Sequence, residues 1–404
     1  MTTAEIIELE QKYLAPTYSR PPIVLDRGEG AYLFDLEGKR YLDFIGGIAV
    51  NSLGHSVPEI IAAVAQQTAK LMHVSNLYHT APHAKLAKLL VDQAFPSRVF
   101  FCNSGSETIE AALKFSRRWA QSVGGEAKYE IVSFEHSFHG RTYGAISATA
   151  QPKYHEGFKP MLPGMVYLPF NDTAALDAAL SEERTAAVVI EPVQGEGGVN
   201  AAQAEFLRTL RNLCDERKIA LIFDEIQCGL CRTGKFFAYQ HHGIEPDLMT
   251  LAKPLGGGLP IGALLMKQHI ADTLKPGLHG STFGANPVAC HVALAVVSKM
   301  INENLAERAA TSGEMLKTRL RQLQNQYGDI TEVRGSGLLI GVEFGDKVDS
   351  IVAACRDKGL LIGSAGEKVL RLAPPLIIDQ RHIDEAANIL GAVLAERKAV
   401  TSDK

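Results

Sequence analysis

The sequence predicts an α/β fold: a large domain with a mainly parallel sheet covered by helices, joined to a smaller α+β domain drawn from both termini. Three observations predict it. Short apolar runs alternate with helical stretches through the middle of the chain, the order expected of a parallel sheet whose crossovers are helices. The runs are apolar along most of their length, as strands covered on both faces must be. After Ala289 the alternation gives way to a long helical region and then to several short strands, so the last third forms a separate unit. The expected limits are 1–60 for an amino-terminal part of the small domain, 61–290 for the large domain and 291–404 for the remainder of the small one.

The opening stretch MTTAEIIELEQKYL spaces apolar and acidic residues as a short amphipathic helix does. Strands are expected at 99–104, 129–135, 186–193, 219–226 and 247–253, where runs such as VFFCNS and IALIFDEI are bounded by turn signals. Helices are expected between them, at 107–120 and 204–217 among others. The apolar spacing over 292–324 predicts one long helix, 333–344, 358–363 and 369–375 read as strands, and 383–398 reads as a closing helix. No internal repeat or low-complexity linker interrupts this order.

Composition narrows the function. A chain of 404 residues, 46% hydrophobic and 21% charged, has the apolar content for a sizeable core. Its net charge of −4 gives no reason to expect nucleic acid or an anionic membrane as partner. The amino terminus lacks the basic-then-apolar order of a targeting segment, and no apolar run approaches the ~20 residues that span a bilayer; a cytoplasmic protein is expected. Six cysteines are too few and too scattered for a disulfide scaffold. Cys228 and Cys231 form a C-x-x-C without a second pair, so no metal site is expected.

Chemistry concentrates around Lys253, which sits in a Gly/Pro-rich turn after an apolar run, PDLMTLAKPLGGG. An ammonium placed where chain is buried is pushed toward the neutral amine that condenses with carbonyls. Asp224 ends the run LIFD, where a parallel strand would deliver it to the carboxyl edge of the sheet. The spacing from Asp224 to Lys253 suits a strand, a connection and a second strand, so both can face one cleft. A buried ion pair explains the two residues equally well when they are taken alone. A carbonyl-condensing lysine with an aspartate that keeps a pyridine nitrogen protonated is also the minimum machinery for pyridoxal phosphate.

The residues around this pair decide between the readings. Asp224-Glu225-Ile226-Gln227, Arg232-Thr233-Gly234, Pro246-Asp247 and Lys253 with Gly256-Gly257-Gly258 resemble the lysine region of the class III, pyridoxal-phosphate-dependent aminotransferases. The resemblance runs from about Tyr18 to Pro375 and lies closest to the acetylornithine aminotransferases. Gly46-Gly47-Ile48-Ala49-Val50-Asn51, Cys102-Asn103-Ser104-Gly105-Ser106-Glu107, Phe138-His139-Gly140-Arg141, Glu191-Pro192-Val193-Gln194-Gly195-Glu196, Ser281-Thr282-Phe283-Gly284 and Leu370-Arg371-Leu372-Ala373-Pro374-Pro375 carry it in order and spacing. One departure, Glu107-Thr108-Ile109-Glu110 where those enzymes more often have Glu-Ala-Asn-Glu, bears on the subfamily rather than on the chemistry.

The resemblance implies fold type I of the pyridoxal-phosphate enzymes and a role for each matched residue. Lys253 would hold the cofactor, and Asp224 would pair with its ring nitrogen. Ser104, Gly105 and Ser106, preceding an expected helix, would bind its phosphate, helped by Thr282 from the partner of an obligate homodimer. Phe138 would lie on the ring, Gln227 would donate to the phenolic oxygen, and Glu225 and Ile226 would complete the cofactor segment. Substrate would meet Tyr18, Arg141, Ser281 and Arg371, with Glu196 neutralising Arg371 until a dicarboxylate arrives. The implied reaction moves the terminal amino group of N-acetylornithine, or a close ω-amino relative, to 2-oxoglutarate, a step of arginine biosynthesis. Ornithine or 4-aminobutyrate aminotransferases are alternatives, and an aminomutase on the same scaffold is a more distant one. The paired arginines and their gate argue against the last, because an isomerase has no need to admit glutamate.

Overall fold

The computed structural model describes residues 1–402, and its centre is a seven-stranded sheet. In chain order the strands are β1 (Arg98–Cys102), β2 (Glu130–Phe134), β3 (Met165–Leu168), β4 (Thr185–Ile190), β5 (Ala220–Asp224), β6 (Leu248–Leu251) and β7 (Gly262–Met266). Their spatial order is β1-β7-β6-β5-β4-β2-β3, and β7 alone runs antiparallel to its neighbours. Every residue of β4, β5, β6 and β7 is buried, which follows from helices covering both faces.

Side-chain alternation along β5 shows the two layers. Leu221 and Phe223 join the core that contains Phe206, Leu207 and Leu210 of the helix Ala204–Glu216. Ala220 and Ile222 point the other way, into a core with Ile109 and Ala112 of the helix Gly105–Gly124. One residue of slip would exchange the two faces, so apolar residues at consecutive positions fix the strand between two layers.

The smaller unit holds two four-stranded sheets. Leu25–Glu29, Tyr32–Asp35 and Arg40–Asp43 form an antiparallel meander, and Leu360–Leu361 adds to it in parallel with Arg40–Asp43. Amino- and carboxyl-terminal chain therefore share one sheet. The second sheet is antiparallel in the order Ile330–Ser336, Leu339–Phe344, Val369–Leu372, Gly363–Ala365, so the single strand expected over 333–344 is instead two strands of a hairpin that turns at Gly337, whose φ is 53°. The expected limits at 60 and 290 each fall inside a helix, Pro58–Lys70 and Pro287–Asn302, and these two helices pack on each other.

The expected single helix over 292–324 is two helices, Pro287–Asn302 and Leu305–Tyr327. Asn304 breaks it with a φ of 50°, a left-handed conformation that asparagine tolerates, and the bend lets Leu305 bury fully.

Candidate active site

Six parallel strands bring their carboxyl ends to one edge of the sheet, and the segments leaving β1, β2, β4, β5 and β6 line one cavity of about 470 Å³. Asp224 is the last residue of β5 and stands in register with Thr250 of the neighbouring β6. Two residues beyond the end of β6, Lys253 opens a short 3-10 turn that runs to Gly256. Lysine and aspartate thus reach the same cavity from adjacent parallel strands. Burial lowers the Lys253 ammonium below its ordinary value; Glu196 and Asp224 oppose this and Arg371 reinforces it.

Asp224 is buried and its carboxylate is fully engaged. Oδ1 accepts from Thr250 Oγ1 at 3.1 Å and from the Ile226 amide at 3.1 Å, and Oδ2 lies 2.7 Å from His139 Nδ1. His139 is 2% exposed. Burial alone would lower its pKa, but the Asp224 hydrogen bond and charge, with Glu191, raise it above the ordinary histidine value. These contacts fix the orientation of the aspartate inside the protein. Burial pushes the carboxyl of Glu191 up to about 7. Its two oxygens accept from the Phe138 amide at 2.9 Å and the Gly195 amide at 3.2 Å, tying the loop after β2 to the loop after β4.

Ser104 caps the twenty-residue helix Gly105–Gly124, its Oγ accepting from the Glu107 amide at 3.2 Å. Glu107 folds back onto Asn103 and Ser104 through Asn103 N, Asn103 Nδ2 and Ser104 Oγ. The remaining first-turn amides and the positive end of the helix dipole form an anion site that opens on the cavity. A side chain at position 105 would strike Ile226 at 2.8 Å, so only glycine lets the loop lie against the Asp224–Gln227 segment. A Cβ at position 195 would fall 2.0 Å from Gln227 Oε1, so any larger residue there would displace the Gln227 amide.

Arg371, on the strand Val369–Leu372, is 4% exposed and does not itself line the cavity. Its Nη1 donates to Glu196 Oε1 at 2.5 Å, to Gln227 Oε1 at 3.3 Å and to the Gly195 carbonyl at 3.3 Å, while its buried Nε has no partner. Glu196 lines the cavity in front of it.

Ser104, Gly105, Ser106, Phe138, Ile226 and Gln227 share the cavity wall with Asp224, Lys253 and Glu196. Other expected residues lie elsewhere. Glu225 turns away: its oxygens accept from the Ala238 amide at 2.6 Å and the Tyr239 amide at 2.7 Å, so within this chain it braces a loop rather than facing the cavity. Tyr18 is 74% exposed and lies with Pro16 and Arg20 in a separate groove beside the amino-terminal helix. Arg141 is exposed, its guanidinium 4.1 Å from the Tyr154 ring and 5.5 Å from Phe138, immediately after Gly140 of the wall. Ser281 Oγ is occupied by Asn103 Nδ2 at 3.1 Å and by the Gly284 amide, and Thr282 is exposed.

Three contributors were not assigned a part from sequence. His139 reads as part of a polar, flexible rim, yet it is buried against Asp224; the signal was a histidine just past a strand that ends at the same sheet edge. Thr250 is recognisable only through strand register. Val50 enters the wall from a left-handed turn, Gly46 to Ala49 all having φ between 57° and 64°. Left-handed backbone costs a non-glycine residue roughly 1–2 kcal/mol, and Asp43 Oδ1 holds the turn by accepting from the Ile45 and Gly46 amides. Among the described residues no cluster of three or more histidine, cysteine or acidic side chains could hold a metal ion, and no helix is long and apolar enough to cross a membrane.

Known proteins share this arrangement. The class-III aminotransferase family model matches residues 13–394. The chain is 46% identical over 401 residues to the acetylornithine aminotransferase of Methanocaldococcus jannaschii, covering 98% of this chain and 100% of that one. It is 46% identical over 383 residues to the acetylornithine aminotransferase of Aquifex aeolicus, covering 95% and 100%. Among solved structures, the ornithine aminotransferase from Toxoplasma gondii superimposes with a TM-score of 0.94 at 32% identity, covering 98% of this chain and 96% of that one. The acetylornithine aminotransferase from Elizabethkingia anophelis does so with a TM-score of 0.88 at 35% identity, covering 98% and 100%. A family match across almost the whole chain, on a cavity that pairs a half-buried lysine with an aspartate beside an anion-binding helix end, places this chain in the class III aminotransferases, enzymes that carry pyridoxal phosphate.

Proposed function

We propose that the protein transfers the terminal amino group of N-acetylornithine to 2-oxoglutarate, giving the semialdehyde and glutamate in arginine biosynthesis in the cytoplasm. The observation that carries the reading is Arg371 held behind Glu196 at the wall of the cavity. A donor whose reacting carbon bears no carboxylate needs that arginine neutralised, whereas a dicarboxylate needs it free.

The residues fit the cofactor. The amides at Gly105 and Ser106 suit its phosphate, Lys253 is half-buried within the same cavity, and Asp224 reaches that cavity from the neighbouring strand. Bound there, pyridoxal phosphate supplies an electron sink conjugated to the reacting carbon. Asp224, held by His139 and Thr250, keeps the proton on the pyridine nitrogen. Gln227 Oε1 is already taken by Arg371, which leaves Nε2 as the donor to the phenolic oxygen. Phe138 presents a flat apolar face to the ring. Lys253 Nζ, with its pKa lowered by burial, would be the group that takes the proton from the substrate carbon and returns it. Arg141 grips the carboxylate distant from the reacting amine, and Arg371 grips the carboxylate beside it once Glu196 has moved, each as a planar fork.

The small domain is assigned to 1–60 with 291–404, and the assembly to a homodimer in which the partner subunit's Thr282 completes the phosphate site. Exposed apolar residues support this reading: Leu77, Tyr78 and Phe283 are 81%, 70% and 61% exposed, and Asn76 joins their two segments by donating to the Ser281 and Gly284 carbonyls. Sedimentation at working concentration should show a dimer; a monomer would contradict the shared site. The reaction is tested by incubating the holoenzyme with N-acetylornithine and 2-oxoglutarate. Glutamate should appear in step with donor loss, and no glutamate would overturn the proposal.

A further inference from the structure

The segment 195–199 that carries Glu196 is the turn of a small hairpin, Val193–Gln194 pairing antiparallel with Asn200–Ala201. Its backbone is in a conformation that resists relaxation. Gly198 has a φ of 110° and the fully buried Val199 a φ of 56°, unfavourable for a β-branched residue. The turn is held from both sides. From the large domain, Glu191 accepts the Gly195 amide at 3.2 Å and Asn200 Nδ2 donates to the Gly197 carbonyl at 2.8 Å. From the small domain, Arg334 on the strand Ile330–Ser336 grips the Gly198 carbonyl twice, with Nε at 3.0 Å and Nη2 at 2.6 Å. The remaining edge of the same guanidinium is anchored to Glu332 and Glu343. A Cβ at position 198 would stand 3.3 Å from Arg334 Nη2, so the glycine and the arginine fit each other.

We propose that Arg334 is a positioning residue that sets how firmly Glu196 covers Arg371, and through that the division of affinity between the two substrates. Only the side chain of Glu196 is left to move while the backbone on either side is pinned, so the gate swings by rotation about its side-chain bonds. Arg334 touches neither Arg371 nor the cavity wall; it acts through the place it gives the Glu196 backbone. Loosening the fork makes the Glu196–Arg371 pair easier to break. A dicarboxylate then competes for Arg371 more successfully, and a donor without a carboxylate at that point loses the neutralising glutamate. The two half-reactions must change in opposite directions, which general damage to the fold does not produce. This inference rests on the substrate reading above.

The test is calorimetric titration of the holoenzyme with glutarate, a dicarboxylate that cannot react, beside the single-turnover rate with N-acetylornithine. Arg334→Lys keeps the charge for Glu332 and Glu343 but loses the planar fork. It should bind glutarate about threefold tighter and discharge N-acetylornithine about threefold more slowly, the size expected of coupling through an intermediary residue. In a Glu196→Gln background the same substitution should change neither quantity. Arg334→Gln serves the same cycle if the lysine variant does not fold. Changes in the same direction, or changes that persist at full size without Glu196, would overturn the proposal. Wild-type enzyme that turns over N-acetylornithine but does not bind glutarate would instead remove the dicarboxylate site and with it the substrate reading.

Discussion

Glu196 Oε1 lies 2.5 Å from Arg371 Nη1, and it is the glutamate that faces the cavity while the arginine stays behind it. An arginine hidden in this way contributes to binding only when its cover is displaced. Arg371→Ala should therefore impair the half-reaction with glutamate by about 2–4 kcal/mol, the worth of a desolvated charge-assisted pair, and the N-acetylornithine half-reaction far less. Arg141→Ala should impair both. Single-turnover rates for each half-reaction read this directly, and equal losses for Arg371→Ala in both would contradict the gate.

The His139–Asp224 pair predicts a pH dependence with a definite sign. His139 is held above its ordinary value of 6.5, because the Asp224 bond and charge outweigh its burial. Such a histidine adds stability that is complete below its unfolded pKa and is lost as pH rises through the folded one. In the cofactor-free protein, the Tm advantage of wild type over His139→Asn should be largest below about pH 6.5 and shrink above it. An advantage that grows with pH would show that the histidine is buried neutral.

Glu225 tests whether adjacency to Asp224 means a shared task. Its carboxyl is the acceptor for two buried amides, Ala238 and Tyr239, and burial pushes its pKa up to about 8. Glu225→Ala should cost about 2–6 kcal/mol in urea unfolding, since each orphaned amide forfeits roughly 1–3 kcal/mol. A loss below about 1 kcal/mol would show that the amides find other partners.

The five strands expected in the middle of the chain were legible because each is an apolar run closed by turn residues, and all five belong to the central sheet. Two strands were not. Met165–Leu168 is a four-residue edge strand with Tyr167 39% exposed, too short and too open to stand out. Gly262–Met266 follows LGGGLP, where glycine and proline read as continuing loop. The terminal meander over 25–43 was equally silent, its strands being short and rich in charge. In the site, Lys253 and Asp224 are readable because chain order places each after a buried strand. The Asp224–His139 contact joins segments 85 residues apart, and only the sheet order brings them together. Tyr18, Ser281 and Thr282 do not line the cavity of this chain, and strand order in the sequence could not have shown that.

The identity of the amino donor defines the reaction. N-acetylornithine and ornithine differ at the α-nitrogen: the acetyl group removes an ammonium that the cavity has no free carboxylate to receive, since Asp224 is committed to His139 and Thr250, Glu191 to the Phe138 and Gly195 amides, and Glu196 to Arg371. The direct measurement is the single-turnover rate constant over dissociation constant for N-acetylornithine, ornithine, 4-aminobutyrate and lysine with the same holoenzyme. N-acetylornithine should lead each of the others by at least about tenfold, or roughly 1.4 kcal/mol of transition-state preference. Ornithine or 4-aminobutyrate leading by that margin would contradict the substrate assignment while leaving the amino-transfer chemistry in place.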